Sequence, residues 1–187
     1  YLQTPLIADY GPQGLQVEAS SNDIKRIALA VDTAPSSIKA AASWNADMLL
    51  VHHGILWRNV ERIVGPLGER VRLLLSANIN LYAAHLALDA HSEVGNNAEL
   101  ARLLDVKDVE WWCDVMGTNI GTIGNMNSTL DDLVGRANQS LNSEARVLNH
   151  GPVQVRRLAI VSGFGADKAG QAKSLGADTL LTGEASH

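Results

Sequence analysis

The chain has 187 residues and a formal charge of −5, from 15 Lys+Arg against 20 Asp+Glu, with six histidines and one cysteine. An apolar share of 46% excludes a disordered or collagen-like chain, and the charge leaves no bulk electrostatic footprint for nucleic acid. The lone cysteine excludes a disulfide-stapled secreted scaffold, and no apolar run nears the roughly 18 residues of a membrane helix. Tyr1 to Asp9 lacks the basic-then-apolar order of a signal peptide. These features lead us to expect a cytoplasmic protein of one domain or two small lobes.

The first recognisable element is a turn at Gly11-Pro12-Gln13-Gly14. Ile27 to Val31 and Met48 to Val51 are continuous apolar runs, as expected for strands of a parallel sheet covered on both faces. Between them, Pro35 to Trp44 reads as a helix with Pro at its first position and Thr33 as a cap. Leu67, Val71, Leu74 and Leu75 follow the spacing of one buried helix face, and Ile79 to Ala84 reads as a further strand. After residues 105–109 the alternation of strand and helix lapses, and Trp111-Trp112-Cys113 begins a different texture. Ser128 to Asp131 resembles a cap, followed by a helical stripe of Leu130, Leu133, Val134, Ala137 and Leu141. Leu158 to Val161, a helix over Ala166 to Leu175 ended by Gly176, and Thr179 to Leu181 complete the chain. No short-period repeat is present. The predicted fold is α/β: two lobes, 1–108 and 109–187, with largely parallel sheets and the second lobe truncated at its C-terminus. The chain opens on Tyr1 rather than Met and stops at His187 just after a strand-like run, so it reads as cut at both ends.

Polar residues follow each apolar strand: Asp32, then His52 and His53, then His85 and Asp89, then Glu184. In a parallel sheet the strand C-termini share one edge, where ligands bind. Three imidazoles and a carboxylate suit zinc, iron or manganese. Adjacent His52 and His53 would point to opposite faces of a regular strand, so sharing a site requires a turn, which Gly54 could supply, or service to two metals. His85 and Asp89 could meet on one helical face or across a loop. Two metals about 3.5–4 Å apart need a bridging ligand, and Asp89 is the natural choice. A single histidine after a strand is more often a hydrogen-bonded structural residue than a ligand; two neighbouring histidines plus His-x-x-x-Asp favour a centre. His91 and His150 read as turn residues, and Cys113 as a small buried hydrophobe. Gly163-Phe164-Gly165 lacks the third glycine of a dinucleotide loop and reads as a tight turn rather than a phosphate cradle.

Four motifs in order resemble the Nif-three-like family, whose bacterial members carry the name GTP cyclohydrolase 1 type 2 homologue. They are Ala8 to Glu18, Val51-His52-His53-Gly54 with Trp57, Asn78 to Asp89 with Gly95-Asn96-Asn97, and Gly163-Phe164-Gly165 with Ala177 to Glu184. The resemblance implies two divalent metal ions held by His52, His53, His85 and Asp89, in a site between the lobes. It also implies a homo-oligomer in the form of a hexameric ring. Family members place a further histidine and glutamate near their C-terminus, beyond the end of this sequence, so the second metal site is expected to be incomplete here.

The activity implied is a metal-dependent hydrolase of the GTP cyclohydrolase kind, taking GTP or another phosphate compound. The metals would activate water, and Glu184 or Asp32 would orient water or substrate. A metal-dependent phosphoesterase would use the same ligands. The third reading is a non-catalytic, metal-stabilised ring that binds protein or nucleic acid.

Overall fold

The computed structural model describes residues 1–20, 23–58 and 62–185. The chain divides into two compact units, Tyr1–Leu88 and Asp89–His187. This boundary lies well ahead of the expected 108/109. The segment between the two belongs to the second unit because helix α4 (Asn96–Leu103) supplies Ala101 to the same core as Leu104, Leu133, Val155 and Ile160.

In the first unit the strands are β1 (Gly14–Val17), β2 (Ile27–Asp32), β3 (Met48–His53) and β4 (Asn80–Ala83), in the order β1-β4-β3-β2. Strands β2, β3 and β4 are parallel, and β1 pairs antiparallel with β4. Helices α1 (Pro35–Ser43) and α2 (Gly65–Ser76) make the crossovers. Ile38 and Ala41 of α1 and Leu74 of α2 pack onto Leu49, Val51, Leu81 and Ala83 of the sheet. Each fully buried Leu, Ile or Val side chain among these contributes about 1.5–3 kcal/mol. Leu75, assigned to the buried stripe from its spacing, is 52% exposed, because it stands about 100° round the helix from Leu74. Strand β2 departs from expectation in the same sense. It lies at the sheet edge, and only its Ala28 and Ala30 side pack against the core. Ile27, Leu29 and Val31, on its other face, are 48%, 75% and 63% exposed.

Pro35 opens α1 as the sequence predicts, but Thr33 is not its cap. The one-turn helix α3 (Leu86–Asp89) follows His85 directly, so the His-x-x-x-Asp spacing closes on a helical turn rather than a loop.

The second unit adds β5 (Lys107–Val115), β6 (Thr118–Thr129), α5 (Leu130–Leu141), β7 (Gln154–Phe164), α6 (Ala169–Ser174) and β8 (Thr179–Glu184). Its sheet order is β5-β6-β7-β8, with two antiparallel pairs and only β7 and β8 parallel. The expectation of largely parallel sheets therefore fails here. Its cause is a two-residue hairpin at Met116-Gly117, both with positive φ (54° and 86°), a turn that joins adjacent antiparallel strands. Thr129 caps α5, accepting from the Asp132 N–H at 3.1 Å. Strand β7 is an inner strand, and Leu158, Ala159, Ile160 and Val161 are all buried, so its apolar run is covered on both faces as predicted.

The two units share a building block. Residues 26–53 align with 157–184 without insertion, so that β2, α1 and β3 correspond to β7, α6 and β8, although β7 starts earlier than β2 and α6 is shorter than α1. Arg26-Ile27-Ala28-Leu29 corresponds to Arg157-Leu158-Ala159-Ile160, and Ala46-Asp47-Met48-Leu49-Leu50 to Ala177-Asp178-Thr179-Leu180-Leu181. The strand register is equivalent, Ile27 facing Met48 and Leu158 facing Thr179. Each helix ends on a left-handed residue, Asn45 (φ 57°) or Gly176 (φ 85°). The next amide then donates back to Ala41 or Ala172, at 3.0 Å in both copies.

No helix among the described residues is long and apolar enough to cross a membrane.

Candidate metal centre

His52 and His53 end β3, and His85 follows β4 by two residues, so the parallel register brings all three to one edge of the first sheet. A ligand nitrogen from each lies within 4.8 Å of the others. The rings are 4.6 Å apart for His52 and His53, 4.8 Å for His52 and His85, and 5.6 Å for His53 and His85, centroid to centroid. Neighbouring strand residues thus converge although β3 runs through His53. The backbone there is pinned from outside. Thr33 donates both its N–H (3.2 Å) and its hydroxyl (2.8 Å) to the His53 carbonyl. Gly54 serves close approach rather than a turn: a Cβ there would run into the Gln16 carboxamide.

Two of the rings are held by carboxylates. His53 Nδ1 lies 2.7 Å from Asp32 Oδ1, and His85 Nδ1 lies 2.8 Å from Asp9 Oδ1. Hydrogen bonding at Nδ1 leaves Nε2 as the nitrogen available to a ligand, the arrangement that metal-binding histidines use. The pairs differ in environment. Asp32 is 66% exposed, whereas the Asp9 side chain is 2% exposed. Burial pushes the Asp9 pKa up, but the His85 hydrogen bond, the Leu86 N–H, the His85 charge and the Tyr10 N–H reverse this and hold it below the usual carboxylate range.

The turn-forming N-terminal segment proves to be the platform of the site. Asp9 Oδ2 accepts the Leu86 N–H at 2.8 Å, and Gln13 Oε1 accepts those of His85 and Ala87, both at 3.1 Å. Gln16 Oε1 accepts the Ile55 (2.8 Å) and Leu56 (3.2 Å) N–H groups that follow His53. Trp57 stands edge-on to His85, with ring centroids 5.2 Å apart at 90°. Of these residues, sequence reading singled out only the segment and Trp57, as family motifs. The signal available was three polar side chains, Asp9, Gln13 and Gln16, interleaved with glycines on the way into β1.

Asp89 begins the second unit; it is buried, and accepts from Asn96 Nδ2 at 2.8 Å and Ser162 Oγ at 3.4 Å. Asn97 backs this arrangement, fully buried, bonding the Ile120 carbonyl and the Ser162 N–H, each at 2.7 Å. Glu184 ends β8 of the second sheet and is exposed. Asp32, expected to orient water or substrate, meets His53 through Oδ1 and is otherwise largely exposed. His91 sits in a turn, accepting from the Glu93 N–H at 3.2 Å, and His150 is exposed. His187 lies outside the described residues. Cys113 is buried, and burial pushes its thiol pKa up, the opposite of a poised nucleophile. Gly163-Phe164-Gly165 is not the tight turn expected: Gly163 (φ 66°) and Phe164 still belong to β7, at a register shift in its pairing with β8.

The sequence model for Duf34/NIF3 (NGG1p interacting factor 3) matches residues 1–187. The GTP cyclohydrolase 1 type 2 homolog of Deinococcus radiodurans is 41% identical over 189 residues, spanning 100% of this chain and 72% of that protein. Among solved structures, the structural-genomics protein ybgI superposes with a TM-score of 0.91 at 33% identity, covering 100% of this chain and 74% of its own. TTHA1606 from Thermus thermophilus gives 0.87 at 36% identity, with 100% and 74% coverage.

Proposed function

Because this chain belongs to the DUF34/NIF3 family, we propose that it is a metal-dependent hydrolase whose centre is built on His52, His53 and His85. The observation that carries this reading is the convergence of three imidazole nitrogens within 4.8 Å. The donor set fits a borderline divalent ion: neutral imidazoles suit zinc, iron and manganese, and two of the three have carboxylate partners at Nδ1. Such an ion supplies Lewis acidity, lowering the pKa of water towards neutrality.

The chain's own residues do the rest. Asp89, carried from His85 by the single turn of α3, is the proposed carboxylate ligand and the bridge if two ions bind. Asn96 and Ser162, its hydrogen-bond partners, would hold that carboxylate in place. Trp57, beside His53 and His85, gives the site an aromatic wall against which a planar substrate can lie. The substrate proposed is GTP, after the name that the Deinococcus relative carries. Homo-oligomerisation is proposed alongside.

The test is metal analysis of the purified protein together with GTP turnover, using a generic phosphoester as the second substrate. The expected result is stoichiometric zinc, iron or manganese and turnover of GTP, with turnover lost and metal affinity weakened but still measurable in His85→Ala at an unchanged circular-dichroism spectrum. Turnover of the phosphoester alone would reassign the substrate. Absence of metal above background, with no uptake on titration, would sink the reading.

A further inference from the structure

The three histidines are not held alike. A charged carboxylate buried to the extent of Asp9 is costly unless its oxygens are satisfied, and each described interaction of this one is with its own turn or with the His85 segment. Oδ1 meets His85 Nδ1 (2.8 Å) and the Tyr10 N–H (2.6 Å), while Oδ2 takes the Leu86 N–H (2.8 Å). With Gln13, it accounts for three successive backbone N–H groups, those of His85, Leu86 and Ala87. Tyr10 and Trp57 flank the His85 ring at 6.3 and 5.2 Å. The Asp32–His53 pair has a similar length but stands largely in water.

We propose that Asp9 is the positioning residue of the metal centre, fixing His85 as the Nδ1–H tautomer and aiming Nε2 at the site, while Asp32 contributes little to His53. This rests on the metal-binding reading above. A carboxylate can accept from the imidazole and from the Leu86 N–H at the same time. A carboxamide offers one oxygen, so Asn in this place must turn an NH2 group towards one of the two donors. Asp9→Asn is therefore a nearly isosteric change that breaks the arrangement. At the exposed Asp32, a carboxamide oxygen suffices.

The experiment has two readouts on the same protein. Imidazole ¹⁵N NMR of the metal-free protein reads the tautomer of His85 directly. Chelator competition with Co²⁺ and Zn²⁺ reads affinity. In the wild type we expect His85 in the Nδ1–H form. We expect Asp9→Asn to lose that single tautomer and to weaken metal binding about 10–100-fold. Asp32→Asn should weaken it by less than about fivefold. In a His85→Ala background, Asp9→Asn should cost no further affinity, because its effect passes through the ring. A wild-type His85 in the Nε2–H form would overturn the proposal without any variant being made. So would an Asp9→Asn protein with unchanged tautomer and affinity, or one that loses as much affinity without His85 as with it. A wild type that takes up no metal removes the metal reading instead, and the tautomer then shows whether Asp9 still orients the ring.

Discussion

Asp47 stands one residue ahead of β3, and its Oδ2 accepts the N–H groups of Lys25 (2.9 Å) and Arg26 (2.7 Å), closing the start of β2 onto β3. Those two backbone bonds, then the nearby positive charges, hold its pKa below the usual 3.8. A carboxylate depressed in the folded state stabilises the fold above its unfolded pKa, and that contribution is lost as pH falls through the folded value. Urea midpoints followed down from neutral pH should therefore fall more steeply below about pH 4 in the wild type than in Asp47→Asn. Parallel curves would contradict this assignment. The same scale shows what a sequence can reveal of a site. His52, His53 and His85 were legible because imidazoles at strand ends are conspicuous in themselves. Asp9, Gln13 and Gln16 were not, because each acts on backbone or ring atoms of segments far along the chain. Nothing local distinguishes a turn-forming Asp or Gln from one that reaches across the fold. Thr33 was misassigned for a related reason: a residue before a helix looks like a cap until the neighbouring strand offers a carbonyl.

At the level of elements, composition reported how apolar a strand is but not where it sits. The runs in β2 and β7 are nearly interchangeable on paper, yet β7 is an inner strand and β2 an edge. The consequence for β2 is a row of Ile27, Leu29 and Val31 facing outward, beside a strand edge without charged residues until Asp32. Edges of this kind recruit other chains. We predict that this 187-residue chain self-associates at micromolar concentration, and that Leu29→Lys shifts it towards monomer, as read by sedimentation velocity. An unchanged distribution would mean that β2 is not the contact. The hairpin of β5 and β6 was missed for a different reason. Its turn, Met116-Gly117, carries only one glycine, and the sequence reading looked for parallel crossovers.

For the whole molecule, the two units have separate cores, so a metal at the histidines, with Asp89 as its proposed further ligand, should stiffen the segments that carry those ligands rather than the cores. Stripping metal with a chelator should raise hydrogen exchange at residues 52–58 and 84–88, the segments tied to the histidines, and leave 130–141 and 154–161 unchanged. Uniform loosening of both would show that the units unfold as one. The class of fold, α/β in two parts, was readable from the order of strands and helices. The division after Leu88 was not, because it falls inside the motif running from His85 to Asp89.

The duplicated strand-helix-strand block has a bearing on how any of these variants should be interpreted. Its second copy reaches the same strand pairing as far as Val161 and Thr182, and the same left-handed helix exit, before a bulge shifts its tip, with Gly183 and Glu184 where the first has His52 and His53. The molecule thus contains its own control: one scaffold, folded twice, once with imidazoles at its tip and once without. The histidines are passengers on this unit rather than parts of its framework, and a protein stripped of them should keep its shape while losing its chemistry.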